Sequence, residues 1–150
     1  MIMVSNVEIA REIFMRGTPM NIVLVEDSRR VRESVKQMLS DIEGVAVSGE
    51  FTTAQAAMTG IDQLRPDLVI VDIGLQNSNG LEVLEHVRVV HPRIKTIVFS
   101  DRVDAEYRTR VSKLGATYFF SKNGDTEKLY GAVAALSALA SKQSNDVRTM

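Results

Sequence analysis

The stretch Pro66–Gly80, PDLVIVDIGLQNSNG, decides the fold. Four aliphatic residues, Leu68 to Val71, run straight into a carboxylate, Asp72, and then into glycine, asparagine and serine. An unbroken aliphatic run of this kind suits a strand buried on both faces, as in a parallel sheet. Read alone, Asp72 serves equally well as a turn or a cap. The surrounding chain changes that reading.

From Met20 onward, strand-like and helix-like segments alternate five times. Asn21–Val25 is the first aliphatic run, and residues 29–40 follow at helical spacing with Ser28 as N-cap. Val45–Val47 makes a short second strand. Residues 54–64 form the second helix, Asp67–Ile73 the third strand, and Gly80–Val90 a helix stopped by Pro92. Lys95–Phe99 is the fourth strand, followed by a charged helix over 103–114 that Gly115 ends. Thr117–Phe120 is the fifth strand, and an alanine-rich helix spans 126–140. A (βα)5 alternation predicts an α/β fold: a doubly wound, flavodoxin-like parallel sheet in the order 2-1-3-4-5. Residues 1–19 form an extension in which Ser5 and Glu8 stand at capping-box spacing ahead of a short amphipathic segment. Residues 141–150 are a polar, frayed tail or the start of a linker.

Composition narrows the function. A net charge of −1 gives no overall basic field for a nucleic-acid partner. The absence of cysteine removes disulfides, thiolate metal sites and a cysteine nucleophile, and favours the cytoplasm. The two histidines, His86 and His91, are too few and too poorly placed for a typical zinc site. No apolar window is long enough to span a membrane, and Glu8, Arg11 and Glu12 occupy the place of a signal peptide's apolar segment.

In an open parallel sheet, ligands gather at the carboxyl ends of the strands, where the winding reverses. The first strand ends on Glu26-Asp27, the third on Asp72, the fourth on Ser100 and the fifth on Lys122. Three carboxylates, a hydroxyl and an amine are therefore expected on one edge. Carboxylates that close repel, and one takes up a proton unless a cation is present. Mg²⁺, a hard oxygen-seeking ion, resolves the conflict and leaves a site neutral enough to admit a phosphoryl group. Asp72 has the nucleophile type that forms aspartyl phosphates, with Ser100 and Lys122 as partners for the phosphoryl oxygens. Each residue alone has an ordinary explanation: a helix-start acid pair, a strand-end hydroxyl, a solvated lysine. Their coincidence at four strand ends does not.

These residues resemble a response-regulator receiver domain of two-component signalling, over about residues 20–140. The resemblance implies that Glu26 and Asp27 bind Mg²⁺ together with Asp72 and the Gly74 backbone carbonyl. It makes Asp72 the phosphoacceptor, Ser100 and Lys122 its catalytic partners, and Ser100 with Phe119 the switch pair. The loop from Asp72 closes on Asn79-Gly80 at the family's usual distance. Two departures, Gln76 and Asn123 where the family usually has proline, put loop rigidity in doubt. The implied partners are a histidine kinase or histidine phosphotransfer protein as donor, and a target or second copy on the face formed by the fourth helix, fifth strand and fifth helix. No enzymatic role is expected beyond the chain's own phosphotransfer and dephosphorylation. One alternative is a receiver segment of a larger DNA-binding transcriptional regulator. A flavodoxin-like flavin protein is a weaker one, because EDSRR puts two acids where a flavin phosphate would sit.

Overall fold

A computed structural model describes residues 18–149. Among these, β1 (Met20–Val25), β2 (Val45–Phe51), β3 (Leu68–Val71), β4 (Lys95–Ser100) and β5 (Tyr118–Ser121) form one parallel sheet in the order 2-1-3-4-5. Five helices connect and follow them: α1 (Arg29–Ser40), α2 (Ala54–Leu64), α3 (Gly80–Val90), α4 (Ala105–Lys113) and α5 (Thr126–Thr149).

Every side chain of β3 is buried, and the side-chain period of two sorts them between two cores. Val69 and Val71 join Val23, Val25 and Val98 under α2, α3 and α4, through Ala57, Ile61, Leu84, Val87 and Val111. Leu68 and Ile70 join Ile22, Leu24, Ile97 and Phe99 under α1 and α5, through Val35, Leu39, Leu129 and Val133. Helices on both faces are what the unbroken aliphatic run demanded. The chain winds from β1 outward to β2 and returns to place β3 on the other side of β1, so the switch point falls between β1 and β3.

Three expectations change. β2 is seven residues long rather than three; the register slips at Ser48, with Ile22 opposite Val47 but Val23 opposite Gly49. A bulge on an edge strand with polar residues hides the alternation that would reveal it. The last helix runs to Thr149 instead of ending at Ala140, because no glycine or proline follows Gly131 to break it. The loops lacking proline are closed by hydrogen bonds. In the β5–α5 loop, Ser121 N–H donates to Asp125 Oδ2 (2.8 Å) and Asn123 N–H to Ser121 Oγ (3.1 Å). Gly124 supplies the left-handed turn there at φ 105°. The helix expected within residues 1–19 falls outside the described residues, save Thr18 and Pro19, which lack regular structure.

α3 is seated directly on the end of β3. Asn79 caps it, its side chain accepting from Leu81 N–H, and Gly80 N–H donates to Ile73 O at 3.3 Å. A Cβ on Gly80 would collide with the Asp72 carbonyl and stand 2.7 Å from Ile73 Cα. Both obstacles are backbone, which cannot rotate aside. Gly80→Ala should therefore destabilise the fold by about 1–3 kcal/mol, the usual cost of overpacking, whereas Gly131→Ala, with open space around it, should not. Urea titration of the two variants checks this; equal midpoints would show that α3 tolerates displacement from Asp72.

Candidate functional site

Asp72 and Glu26 are the residues that follow β3 and β1, and those strands pair in register with Val25 opposite Val71. Asp72 N–H donates to Val25 O at 2.9 Å, and Glu26 N–H to Phe51 O at 3.0 Å, so both backbones are still tied to the sheet where the carboxylates emerge. Both side chains are buried, as is Ser100 at the end of β4. Lys122 follows β5, and its N–H donates to Ser100 O at 3.1 Å. The four strand ends thus deliver their polar groups to one edge, as the sequence implied.

Lys122 is the hub. Its Nζ lies 2.8 Å from Asp72 Oδ2 and 2.9 Å from each carboxylate oxygen of Glu26. Asp72 Oδ1 accepts the Gly74 N–H at 2.9 Å. Asp27 is less buried, and its Oδ2 accepts the N–H of Gln76 at 2.8 Å. Carboxylate oxygens of Glu26, Asp27 and Asp72 fall within 4.8 Å of one another. An all-oxygen donor set of three acids fits a hard divalent cation. Gly74 is exposed at the head of the loop, within reach of solvent.

The two buried acids titrate in opposite directions. Burial pushes Glu26 up to about 7 against the Lys122 hydrogen bond, and the negative charge of Asp72 adds to the rise. Burial acts on Asp72 in the same sense, but the Lys122 ammonium, the Gly74 N–H and the Ser100 hydroxyl hold it below the ordinary carboxylate value. Lys122 is opposed by its own burial yet raised by hydrogen bonds to Asp72 and Glu26. The proton expected from crowding three carboxylates therefore goes to Glu26, and Asp72 keeps the ionised oxygens of a nucleophile.

Three positioning contacts were not legible in the sequence. Arg32 donates through one guanidinium nitrogen to the carbonyls of Glu26 (2.9 Å) and Asp27 (3.2 Å), pinning the β1–α1 loop. Ser100 Oγ accepts the Arg102 N–H at 3.2 Å. Arg108 donates to Val103 O at 3.0 Å while its guanidinium stacks 4.8 Å above the Phe119 ring. Phe119 itself is half-buried against the core beneath α4. Arginine to backbone carbonyl is a contact with no spacing rule, so nothing in the one-dimensional pattern marks it.

Known proteins resemble this chain over most of its described length. The family model of the response regulator receiver domain matches residues 22–134. The nitrate/nitrite response regulator protein NarL of Escherichia coli K12 is 30% identical over 115 residues, covering 77% of this chain and 53% of NarL. Response regulator GacA of Pseudomonas aeruginosa is 28% identical over 112 residues, covering 75% of this chain and 52% of GacA. The chain spans about half the length of the curated relatives it matches. A solved LuxR-family two-component response regulator from Aurantimonas sp. superposes with a TM-score of 0.74 at 26% identity, over 81% of this chain and 86% of that one.

The raised Glu26 has a consequence for stability. Its pKa in the folded state lies above its unfolded value, so its stabilising contribution is complete below 4.5 and is lost as pH rises through about 7. Asp72 has the opposite sign, and its loss lies in the more acidic window below its ordinary 3.8. In EDTA, resistance to urea should fall between about pH 5 and about pH 8 on the Glu26 account, and Glu26→Gln should flatten the decline. An unchanged slope in the variant would assign it to other groups.

Proposed function

The chain belongs to the response regulator receiver domain family, and from that premise we propose that Asp72 is its phosphoacceptor. The observation that carries this is the single ammonium of Lys122 bridging Asp72 and Glu26 on the edge where Ser100 also ends its strand. A carboxylate oxygen of Asp72 attacks the phosphorus of a phosphohistidine on a kinase or phosphotransfer protein. The O–P bond forms as the P–N bond breaks, and the departing imidazole takes up a proton. Lys122 exchanges a carboxylate contact for a phosphoryl oxygen, and the Ser100 hydroxyl donates to another. Glu26, Asp27 and Asp72 would hold Mg²⁺, with the Gly74 carbonyl as a further ligand; when bound, the ion offsets charge on the transferring group. The chain's catalysis is confined to its own phosphorylation and dephosphorylation. No helix among the described residues is long and apolar enough to cross a membrane, which suits a cytoplasmic partner of a kinase. The flavin alternative is disfavoured by the turn after β1, where the Glu26, Asp27 and Asp72 carboxylates cluster and would repel a flavin phosphate. A second reading, in which this receiver serves a longer DNA-binding regulator, is favoured by the half-length overlap with curated relatives.

The message leaves through Ser100 and Phe119. Drawing Ser100 toward a phosphoryl group disturbs its bond from Arg102, in the loop whose Val103 carbonyl is held by Arg108, the residue stacked on Phe119. The ring is apolar and needs no buried hydrogen-bond partner in either position. Phe119 precedes Phe120 and follows exposed Tyr118 on the edge strand β5, between α4 on one side of the sheet and α5 on the other. The α4–β5–α5 face suits a downstream protein or a second copy of the chain. Coupling of this kind typically supplies ~1–3 kcal/mol, whereas a full 1:99 to 99:1 switch needs ~5.5 kcal/mol. The partner contributes the remainder.

Acetyl phosphate with Mg²⁺ should label the wild-type chain on Asp72, and Asp72→Ala should abolish labelling. Label persisting on another aspartate at the wild-type rate would refute the assignment. Beryllofluoride should change partner affinity or self-association by sedimentation, and Phe119→Ala should blunt that change while leaving labelling intact. An equal response in the variant would route the signal elsewhere.

A further inference from the structure

The two histidines that sequence spacing set aside meet on one carboxylate. His86 lies in the second half of α3, and His91 caps its C-terminus, five residues on, where Pro92 ends the helix. Asp62 stands near the C-terminal end of α2. His86 Nε2 is 2.7 Å and His91 Nε2 is 2.6 Å from the same Asp62 Oδ1. The rings are edge-on to one another, 5.9 Å apart at their centroids and inclined by 66°. Contact with both imidazoles, His91 before His86, holds the Asp62 carboxyl below its ordinary value. Helices in this fold run antiparallel to the strands, so the cluster sits at the edge of the sheet opposite Asp72 and takes no part in the chemistry above.

We propose that Asp62, His86 and His91 form a second metal site, selective for a borderline divalent transition ion such as Zn²⁺. Two imidazole nitrogens and one carboxylate are the donors that Zn²⁺, Co²⁺, Ni²⁺ and Cu²⁺ accept and that Mg²⁺ avoids. Three protein ligands leave a fourth position to water. Donors around a tetrahedral ion with bonds of 2.0–2.2 Å stand about 3.3 Å apart, so the carboxylate must withdraw by roughly 0.7 Å to admit it. Asp62 can do so, since its side chain is 47% exposed, while the histidines, 23% and 13% exposed, are held more firmly. A bound ion would clip α2 to α3. α3 begins at Gly80, against the backbone of Asp72, and its final turn leads into His91, so the clip secures the far end of the helix that abuts the acceptor.

The full chain, freed of any affinity tag and stripped with EDTA, should be titrated with Co²⁺ in excess Mg²⁺, which occupies the all-oxygen site. One equivalent should bind, with visible d–d bands that Zn²⁺ abolishes by displacement, and Zn²⁺ should raise the thermal midpoint. Losing an outer-shell partner already costs roughly 10–100-fold in affinity, so His86→Ala and His91→Ala should each cost at least that. Asp27→Ala should leave Co²⁺ binding unchanged. If an alanine variant fails to fold, His86→Gln and His91→Gln, which keep a hydrogen-bonding side chain, carry the comparison. Absence of binding, binding that survives loss of both histidines, or binding lost with Asp27 would overturn the proposal.

Discussion

The constraint on which this molecule rests is the adjacency of β1 and β3. Because the winding reverses there, Glu26 and Asp72 leave neighbouring strands in register and must be buried within reach of one another. Two buried carboxylates cannot both remain charged without compensation. Lys122 offers it from the end of β5, and the imbalance that remains shows as burial pushing the Glu26 carboxyl up to about 7. The fold therefore leans on an electrostatic arrangement that is incomplete by itself. A cation bound to the acids, or a phosphoryl group drawing Lys122 away, would each alter the same balance. A site that is stable but short of charge neutrality is poised for both events.

Much of this was legible because buried parallel strands are written as aliphatic runs, which makes the first polar residue after each run conspicuous. Glu26, Asp72, Ser100 and Lys122 could be placed on one edge from strand order alone, and the structure brings them there. The same reasoning failed where the run was broken. Ser48, Gly49 and Glu50 interrupt β2 at its bulge, so an edge strand of seven residues looked like one of three. It failed again for Asp62, His86 and His91. Histidines five apart match no familiar helical metal spacing, and the third donor comes from another helix. Only the packing of α2 on α3, together with the break at Pro92, turns both rings onto one oxygen. Contacts that depend on how two helices meet have no signature along one.

The positions where the resemblance expected proline show how a departure can be absorbed. Proline would stiffen a loop by fixing φ but could not donate from its nitrogen. Gln76 keeps its N–H and gives it to Asp27, binding the β3–α3 loop to the acid pair at the end of β1. Asn123 likewise donates to Ser121, and Asp125 closes the same loop from its other end. Rigidity that proline would have supplied through the unfolded state is supplied here by hydrogen bonds in the folded one. The Gln76 bond also makes Asp27 answerable to the loop that follows the acceptor. Anything that shifts that loop shifts a carboxylate oxygen of the acid pair.

α3 joins the two clusters and shows why they need not compete. At its N-terminal end, three acids offer only oxygen, a set that favours a small hard ion retaining its waters. Toward its C-terminal end, two imidazole nitrogens and one carboxylate oxygen form a set that such an ion binds poorly. Discrimination follows from donor type rather than from pocket shape, so it holds although one cluster is largely buried and the other partly exposed. The helix between them is seated at one end by backbone against backbone, with Gly80 leaving no room for a side chain. At the other end it is held by two hydrogen bonds to a half-exposed carboxylate, a looser attachment. Of the two ends, the one that carries the histidines is the one that a bound ion can still tighten.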